Sequence, residues 1–417
     1  MDDGQDVRVF TLFGLMKPGL PSAKTALLLV VALLTASFLF AGIGNDRSSL
    51  PPTVIPSGIS FATSDLKITR STHKIFDLTW AQISATITEN LQQKIQARLD
   101  KARKYHENLS KDFLLQRPTT DQPPKLVIIH ESHGRLGNFL FRAASLIGIA
   151  RRNHYTPIYL INDERTTLFT GLNIEVLTRA EALRLTQQTT LPEVGEKGAG
   201  IFADYIADFP LQHGNQSVML SGYLQSFKYF HAFRDEIRTA LTFTEEILAQ
   251  AVRTINVSMD ALNDENKAKL YGDVPRLVGI HVRRGDMISD RTNKDFGYVG
   301  ATTSYVLNTV RKVQKLYAKG RGTIFVVVTD DIDYCMKVLG TMANVVVVES
   351  YSAVVDLAVL SLMETVIMTV GSFGWWGGYL SESEEVYYYQ NWPRKRSNLA
   401  KLVKHQDYFL PNWQGLP

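Results

Sequence analysis

Apolar residues fall along this chain in three rhythms, each predicting a different kind of structure. Thr25–Ile43 (TALLLVVALLTASFLFAGI) is uncharged throughout and close to the ~20 residues a membrane-spanning helix needs. A cleaved leader has a shorter apolar core, so the run reads as an uncleaved signal anchor, 25–43, behind a cytoplasmic tail, 1–24. Pro51, Pro52 and Pro56 then mark an extended linker. Beyond it, Trp80, Ile83, Ile87, Leu91, Ile95 and Leu99 recur every three or four residues and predict a helix over 79–115. This stripe either pairs two stems into a homodimer or packs on the chain's own body, and 44–122 is the stem in both cases.

From Leu126 the third rhythm begins, short continuous apolar runs separated by helical patterns. Strands are expected at 126–129, 159–161, 218–220, 277–282, 324–328, 345–348, 366–369 and 386–389, the last of them. Helices are expected from Phe139 to about Asn153, within 245–270, and over 304–319 and 353–363. Strands apolar on both faces and alternating with helices imply parallel sheets covered on each side, an α/β fold. Pro123 and Pro124 open a first α/β domain, 123–270, and a second occupies 271–417.

Composition narrows the picture. The 417 residues suffice for two domains and a tail, and the net charge of +4 is scattered among Asp and Glu, which argues against nucleic acid as a partner. Cys335 is the only cysteine, so no intramolecular disulfide can form. Charges flanking the apolar run give only a slight positive-inside bias. Asn108, Asn215 and Asn256 each begin an Asn-X-Ser triplet C-terminal to it, as expected of a body on the lumenal side.

The candidate chemistry gathers where strands end, which is where open parallel sheets bind ligands. His281-Val-Arg283-Arg284-Gly-Asp286 closes one strand, Thr329-Asp330-Asp331 another, and Gly371-Ser372-Phe373-Gly374 a third. Arg presents a planar fork of donors matched to phosphate oxygens, so the pair Arg283 and Arg284 points to a diphosphate, with Asp286 placed to orient the Arg pair. His133-Gly134-Arg135-Leu136-Gly137-Asn138 lies between a strand and a helix, where backbone groups can approach an anion. Asp331 and Asp333 form a candidate divalent-cation pair, or else Asp330 or Asp331 caps a helix start, and the cap reading is preferred because Arg283 already supplies positive charge. Trp375 and Trp376 either stack on a sugar or pack a helix. His130 and His133 are candidate site residues or simple loop donors.

These motifs resemble the α1,2-fucosyltransferases, glycosyltransferase family 11. His281-Val-Arg283-Arg284-Gly-Asp286 matches the family's HxRRxD, and the resemblance extends to GRLGNFLFRAASLIGIARRN from Gly134, GYLQSFKYF from Gly222, FGYVGATTSYV from Phe296, TDD from Thr329 and GSFGWWGGYL from Gly371. One departure is GNFLFRAA, where many members carry a GNQMFQYA-like string. The resemblance implies a GT-B-like pair of Rossmann-type domains, the first on the acceptor side and the second binding the donor. It implies inverting transfer of fucose from GDP-β-L-fucose to the 2-hydroxyl of a terminal galactose on a glycan, with no essential metal and no other cofactor, in a type II Golgi membrane protein. Arg283 would hold the diphosphate, His281 face the guanine, Asp356 accept from guanine nitrogens, and Ser372 with the Phe373 N–H bind the β-phosphate. Arg284, Gly134 and Asn138 complete the donor-binding set, and Arg283 and Asp286 are the catalytic candidates. Two alternatives stay open, transfer of fucose to another sugar or a protein hydroxyl, and an inactive glycan-binding relative.

Overall fold

A computed structural model describes residues 66–115, 123–130, 134–160, 162–268, 270, 274–318, 322–350 and 352–417, with side chains of the first helix described over 80–108. The expected anchor 25–43, the proline linker and His133 lie outside the described residues. Among those described, no helix is long and apolar enough to cross a membrane.

The chain enters through one 50-residue helix, α1 (Leu66–Leu115). Five strands follow, β1 (Leu126–Ile129), β2 (Thr156–Tyr159), β3 (Glu175–Val176), β4 (Glu193–Gly195) and β5 (Val218–Ser221), and α2 (Leu136–Asn153) carries the chain from β1 to β2. They form a parallel sheet in the order β3-β2-β1-β5-β4. Helices α3 (Arg234–Ala240) and α4 (Glu245–Asp260) lead to the second half. There β6 (Arg276–Val282), α5 (Thr303–Tyr317), β7 (Thr323–Thr329), α6 (Ile332–Leu339), β8 (Val345–Val347), α7 (Ala353–Leu362), β9 (Thr365–Met368), α8 (Ser372–Leu380), β10 (Val386–Tyr389) and β11 (Gln414–Leu416) succeed one another. The second sheet is also parallel, in the order β11-β10-β9-β6-β7-β8. Two Rossmann-like α/β halves result, and β6, buried from Leu277 to Val282, is central to the second.

Four strands depart from the sequence expectation, β2 by lying at Thr156–Tyr159 where 159–161 was expected. β3 and β4 are sheet edges of two and three residues without an apolar run, and β11 adds a strand beyond β10 through the short Gln414-Gly415-Leu416. Helix formation in the connection to the second half stops at Asp260 and resumes only briefly at Asp264–Ala268.

The stripe on α1 faces the chain's own body. Trp80, Ile83, Ile87, Leu91, Ile95 and Leu99 are all buried in the main core, so the apolar face that suggested a homodimer is already covered. Polar contacts fix its register against the first half, with Tyr105 Oη donating to Glu236 at 2.6 Å and Arg103 pairing with Glu245 at 2.7 Å. The same helix reaches the second half. Arg98 donates to the carbonyls of Ser361 (3.0 Å) and Leu380 (3.2 Å), and Lys94 to those of Leu362 (3.3 Å) and Ser381 (3.5 Å). These are the last carbonyls of α7 and α8, which have no partner within their own helices and carry the negative end of each dipole. Burial, with Arg98 adding, lowers Lys94 to about 8.

An aromatic seam joins the halves. Phe141 of α2 meets Trp375 at 4.5 Å and Trp376 at 5.2 Å between ring centroids, and Phe230 stacks on Trp376 at 5.6 Å. All four rings are fully buried, so the tryptophan pair packs α8 against α2 and presents no face to a sugar.

Candidate active site

Each half brings one loop to the cleft between the sheets, and the two loops touch. At the C-terminal end of β9 the chain turns at Gly371 into α8, which places Ser372 and Phe373 in its first turn. Facing them is the first turn of α2. A Cβ on Gly137 would lie 2.6 Å from Ser372 Oγ and 2.8 Å from Phe373 N, so only glycine permits this approach. Ser372 Oγ donates to Asn138 Oδ1 at 2.9 Å, and Gln225 Nε2 donates to the same oxygen at 2.8 Å. Gly134, at φ 86°, opens the loop, and its carbonyl accepts from Arg165 at 2.9 Å.

The neighbouring strand, β6, supplies the charge. Its end is pinned by the Arg283 N–H, which donates to Thr369 Oγ1 at 2.9 Å just past β9. The Arg283 guanidinium bridges two carboxylates, one nitrogen on Asp330 and another on Asp286. Asp286 also receives Arg135 of the first half at 3.0 Å. Arg284 does not share Asp286. Its backbone N–H donates to Asp330 at 2.8 Å, its Nε to Asp331 at 2.9 Å, and its guanidinium lies 3.6 Å over the Tyr334 ring. The expectation that Asp286 orients both arginines is therefore corrected, because the chain turns after β6 and sends the two side chains opposite ways. Asp331 also accepts from the Tyr334 N–H at 3.1 Å and caps α6, while Asp333 is exposed on that helix.

His281 takes a different place from the one expected. A histidine facing a base needs an open ring face, yet this ring is only 4% exposed. Its Nδ1 has no hydrogen-bond partner and lies against Gly374, and the Phe373 ring stands 5.3 Å away. Burial, with Arg283 adding, lowers His281 to about 3, so the ring is neutral and supports the α8 turn from beneath.

Asp356, in the first turn of α7, lies at the same edge of the sheet. Its Oδ1 is buried without a protein partner, and burial raises the carboxyl to about 6 against the opposing hydrogen bond from Ser350. An unpaired buried acceptor at a strand-end cleft suits a ligand's donor. His130 is exposed after β1. Of the triplet asparagines, Asn108 is exposed on α1, Asn215 accepts from Lys125 at 2.8 Å on an exposed loop, and Asn256 is inside α4, 3.1 Å from Thr88 of α1.

Sequence reasoning placed Asp330 at a strand end without its pairing to Arg283, and it missed Arg135, Thr369 and Gln225. TDD after an apolar run was the available signal for Asp330; the other three act across long separations and leave none.

The family profile described as Glycosyl transferase family 11 matches residues 117–417. Similar curated proteins include galactoside alpha-(1,2)-fucosyltransferase 1 of Ateles belzebuth, 26% identical over 295 residues, covering 68% of this chain and 73% of that protein. The same enzyme of Gorilla gorilla gorilla is 25% identical over 292 residues with the same coverage. Among solved structures, the chain is similar to fucosyltransferase NodZ from Bradyrhizobium, at 15% identity and a TM-score of 0.40 over 62% of this chain and 93% of that one. It is also similar to a variant of FUT1 of Arabidopsis thaliana in complex with GDP, at 15% identity and a TM-score of 0.43 over 73% and 81%.

Proposed function

Since the chain belongs to glycosyl transferase family 11, we propose that it moves L-fucose from GDP-β-L-fucose, with inversion, to the 2-hydroxyl of a terminal galactose on a glycan. The observation that carries this reading is the placing of Arg283 and the Ser372 turn at the ends of the paired strands β6 and β9, facing Asn138 of the other half. The names of the curated relatives support the acceptor and the linkage.

In this reaction the bond from fucose C1 to the β-phosphate oxygen breaks as galactose O2 bonds to C1 from the opposite face. The electron pair of the broken bond leaves on GDP, and the proton of the acceptor hydroxyl is released to solvent. Negative charge therefore grows on the diphosphate. A guanidinium, the Ser372 hydroxyl once turned from Asn138, and the N–H groups of the α8 turn stabilise that charge where it forms. To reach the phosphate, Arg283 exchanges one of its two carboxylates for phosphate oxygens. Ionised Asp356 accepts from the guanine nitrogens, and Asp286 holds Arg283 in the plane it needs.

The apolar run 25–43 supports a type II Golgi membrane placement with a lumenal body. The test is an acceptor array with the full chain and GDP-fucose, with linkage read on the product. Fucose on O2 of terminal galactose is the expected result. A protein that binds GDP yet transfers fucose to no galactose-terminated acceptor overturns the proposal.

A further inference from the structure

One exposed aromatic ring stands on a turn built with unusual care. Gly222 follows β5 at φ 109°, and two residues later Leu224 has φ 52°, a conformation that costs a branched side chain about 1 kcal/mol or more. Between them Tyr223 is 40% exposed. The turn is held from behind by Glu196, whose carboxylate accepts the N–H of Tyr223 and, at 2.9 Å, that of Leu224. A Cβ on Gly222 would collide with that Glu196 side chain. The turn's far end is tied by Gln225 to Asn138, the residue that also receives Ser372.

Leu224 is fully buried and anchors the turn in the core, while Tyr223 beside it keeps 40% of its surface exposed. Strain maintained by a half-buried carboxylate to hold one ring outward indicates presentation to a ligand. The ring also has aromatic company. The Tyr298 phenol is held above its ordinary range chiefly by burial, with Tyr223 and Asp286 adding. Phe296, 37% exposed, lies 6.0 Å from the Tyr298 ring. Flat apolar faces beside a carboxylate that is 34% exposed match a neutral pyranose, which has an apolar face and a rim of hydroxyls.

We infer that Tyr223 is the platform for the acceptor sugar, stacking on its apolar face with Tyr298 and Asp286 nearby, and that Glu196 is the positioning residue that holds the platform. The inference rests on the proposed transfer to galactose and adds the residues that select the acceptor.

The test uses the full chain loaded with GDP and titrated with lactose by NMR, so that acceptor binding is read without turnover. Tyr223→Ala should weaken lactose binding about five- to tenfold, and Tyr223→Trp should restore it. Glu196→Gln, which offers one carbonyl oxygen where the carboxylate offers two, should weaken it in the same direction. GDP affinity should stay at the wild-type value in all three variants. Lactose binding unchanged in Tyr223→Ala, or no lactose binding by the wild type, overturns the inference, and so does a parallel loss of GDP affinity, which would mark the turn as a general brace. Absence of fucosyl transfer with the Tyr223 effect intact would instead refute the reaction proposed above and leave the sugar platform standing.

Discussion

Replacing Arg283 by Lys keeps the charge and removes the fork. In the structure two separate nitrogens of Arg283 reach Asp330 and Asp286, a span that one ammonium cannot cover. The fold should survive. The backbone N–H bond to Thr369 does not involve the side chain, and with side chains 19%, 34% and 27% exposed the two ion pairs contribute about 1 kcal/mol or less each. Catalysis should not survive. A lost preorganised donor to a developing anion costs about 3 kcal/mol, roughly 100-fold in turnover. GDP binding should weaken about tenfold as the bidentate phosphate contact is lost. Turnover with saturating GDP-fucose, a GDP titration and a thermal melt measure the three quantities on one preparation. Arg284→Lys is the control, since that side chain is committed to Asp331 and the Tyr334 ring, and its effect on GDP affinity should be smaller. A folded Arg283→Lys protein with near-normal turnover and GDP affinity would refute the diphosphate assignment.

Further outcomes follow from other parts of the molecule. EDTA should leave activity largely intact; if activity disappears and Mn²⁺ restores it, Asp331 and Asp333 hold a cation in the working enzyme. Because burial raises Asp356 from 3.8 to about 6, folding favours its protonated form, so its contribution to stability is complete below about 4 and is lost as pH rises through about 6. Guanine needs the ionised form, so GDP affinity should strengthen between pH 5 and 7 and Asp356→Asn should flatten that profile, an outcome a GDP titration series can contradict. Arg98→Ala leaves the carbonyls of Ser361 in α7 and Leu380 in α8 unmet and removes an ion pair to the half-exposed Glu382, and should cost about 3 kcal/mol in a denaturant melt; a loss under about 0.5 kcal/mol would show that α1 does not clasp these helices. In a eukaryotic secretory host Asn108 and Asn215 should carry glycans and Asn256 none, since its helix face meets α1, and glycosidase mapping decides it.

What could be read from the sequence divides by the range of the interaction responsible. The stripe from Trp80 to Leu99 announces a buried face, because burial of a helix follows its own period. It is silent on what covers that face, and Lys94 and Arg98 beside it look like solvated residues until the ends of α7 and α8 are placed against them. Continuous runs such as Leu277–Val282 announce central strands, whereas Glu193-Val194-Gly195 pairs on one side only and carries no such signature. At the site, strand ends concentrate Arg283, Asp330 and Ser372 by a general rule of parallel sheets. The division of partners between Arg283 and Arg284 depends on the turn after β6, and the enclosure of His281 depends on Gly374 arriving from another strand.

The aromatic seam sets a timetable for the chain's own birth. Phe141 leaves the ribosome 234 residues before Trp375, the same separation as Asn138 and Ser372. At 5–20 residues per second, the apolar face of α2 waits on the order of 10–50 s for the helix that covers it. Throughout that interval the Phe141 face of α2 lacks the tryptophans that cover it in the finished protein, and another chain at the same stage offers the same unfinished surface. Slowing synthesis between the two halves lengthens that exposure without altering the finished protein.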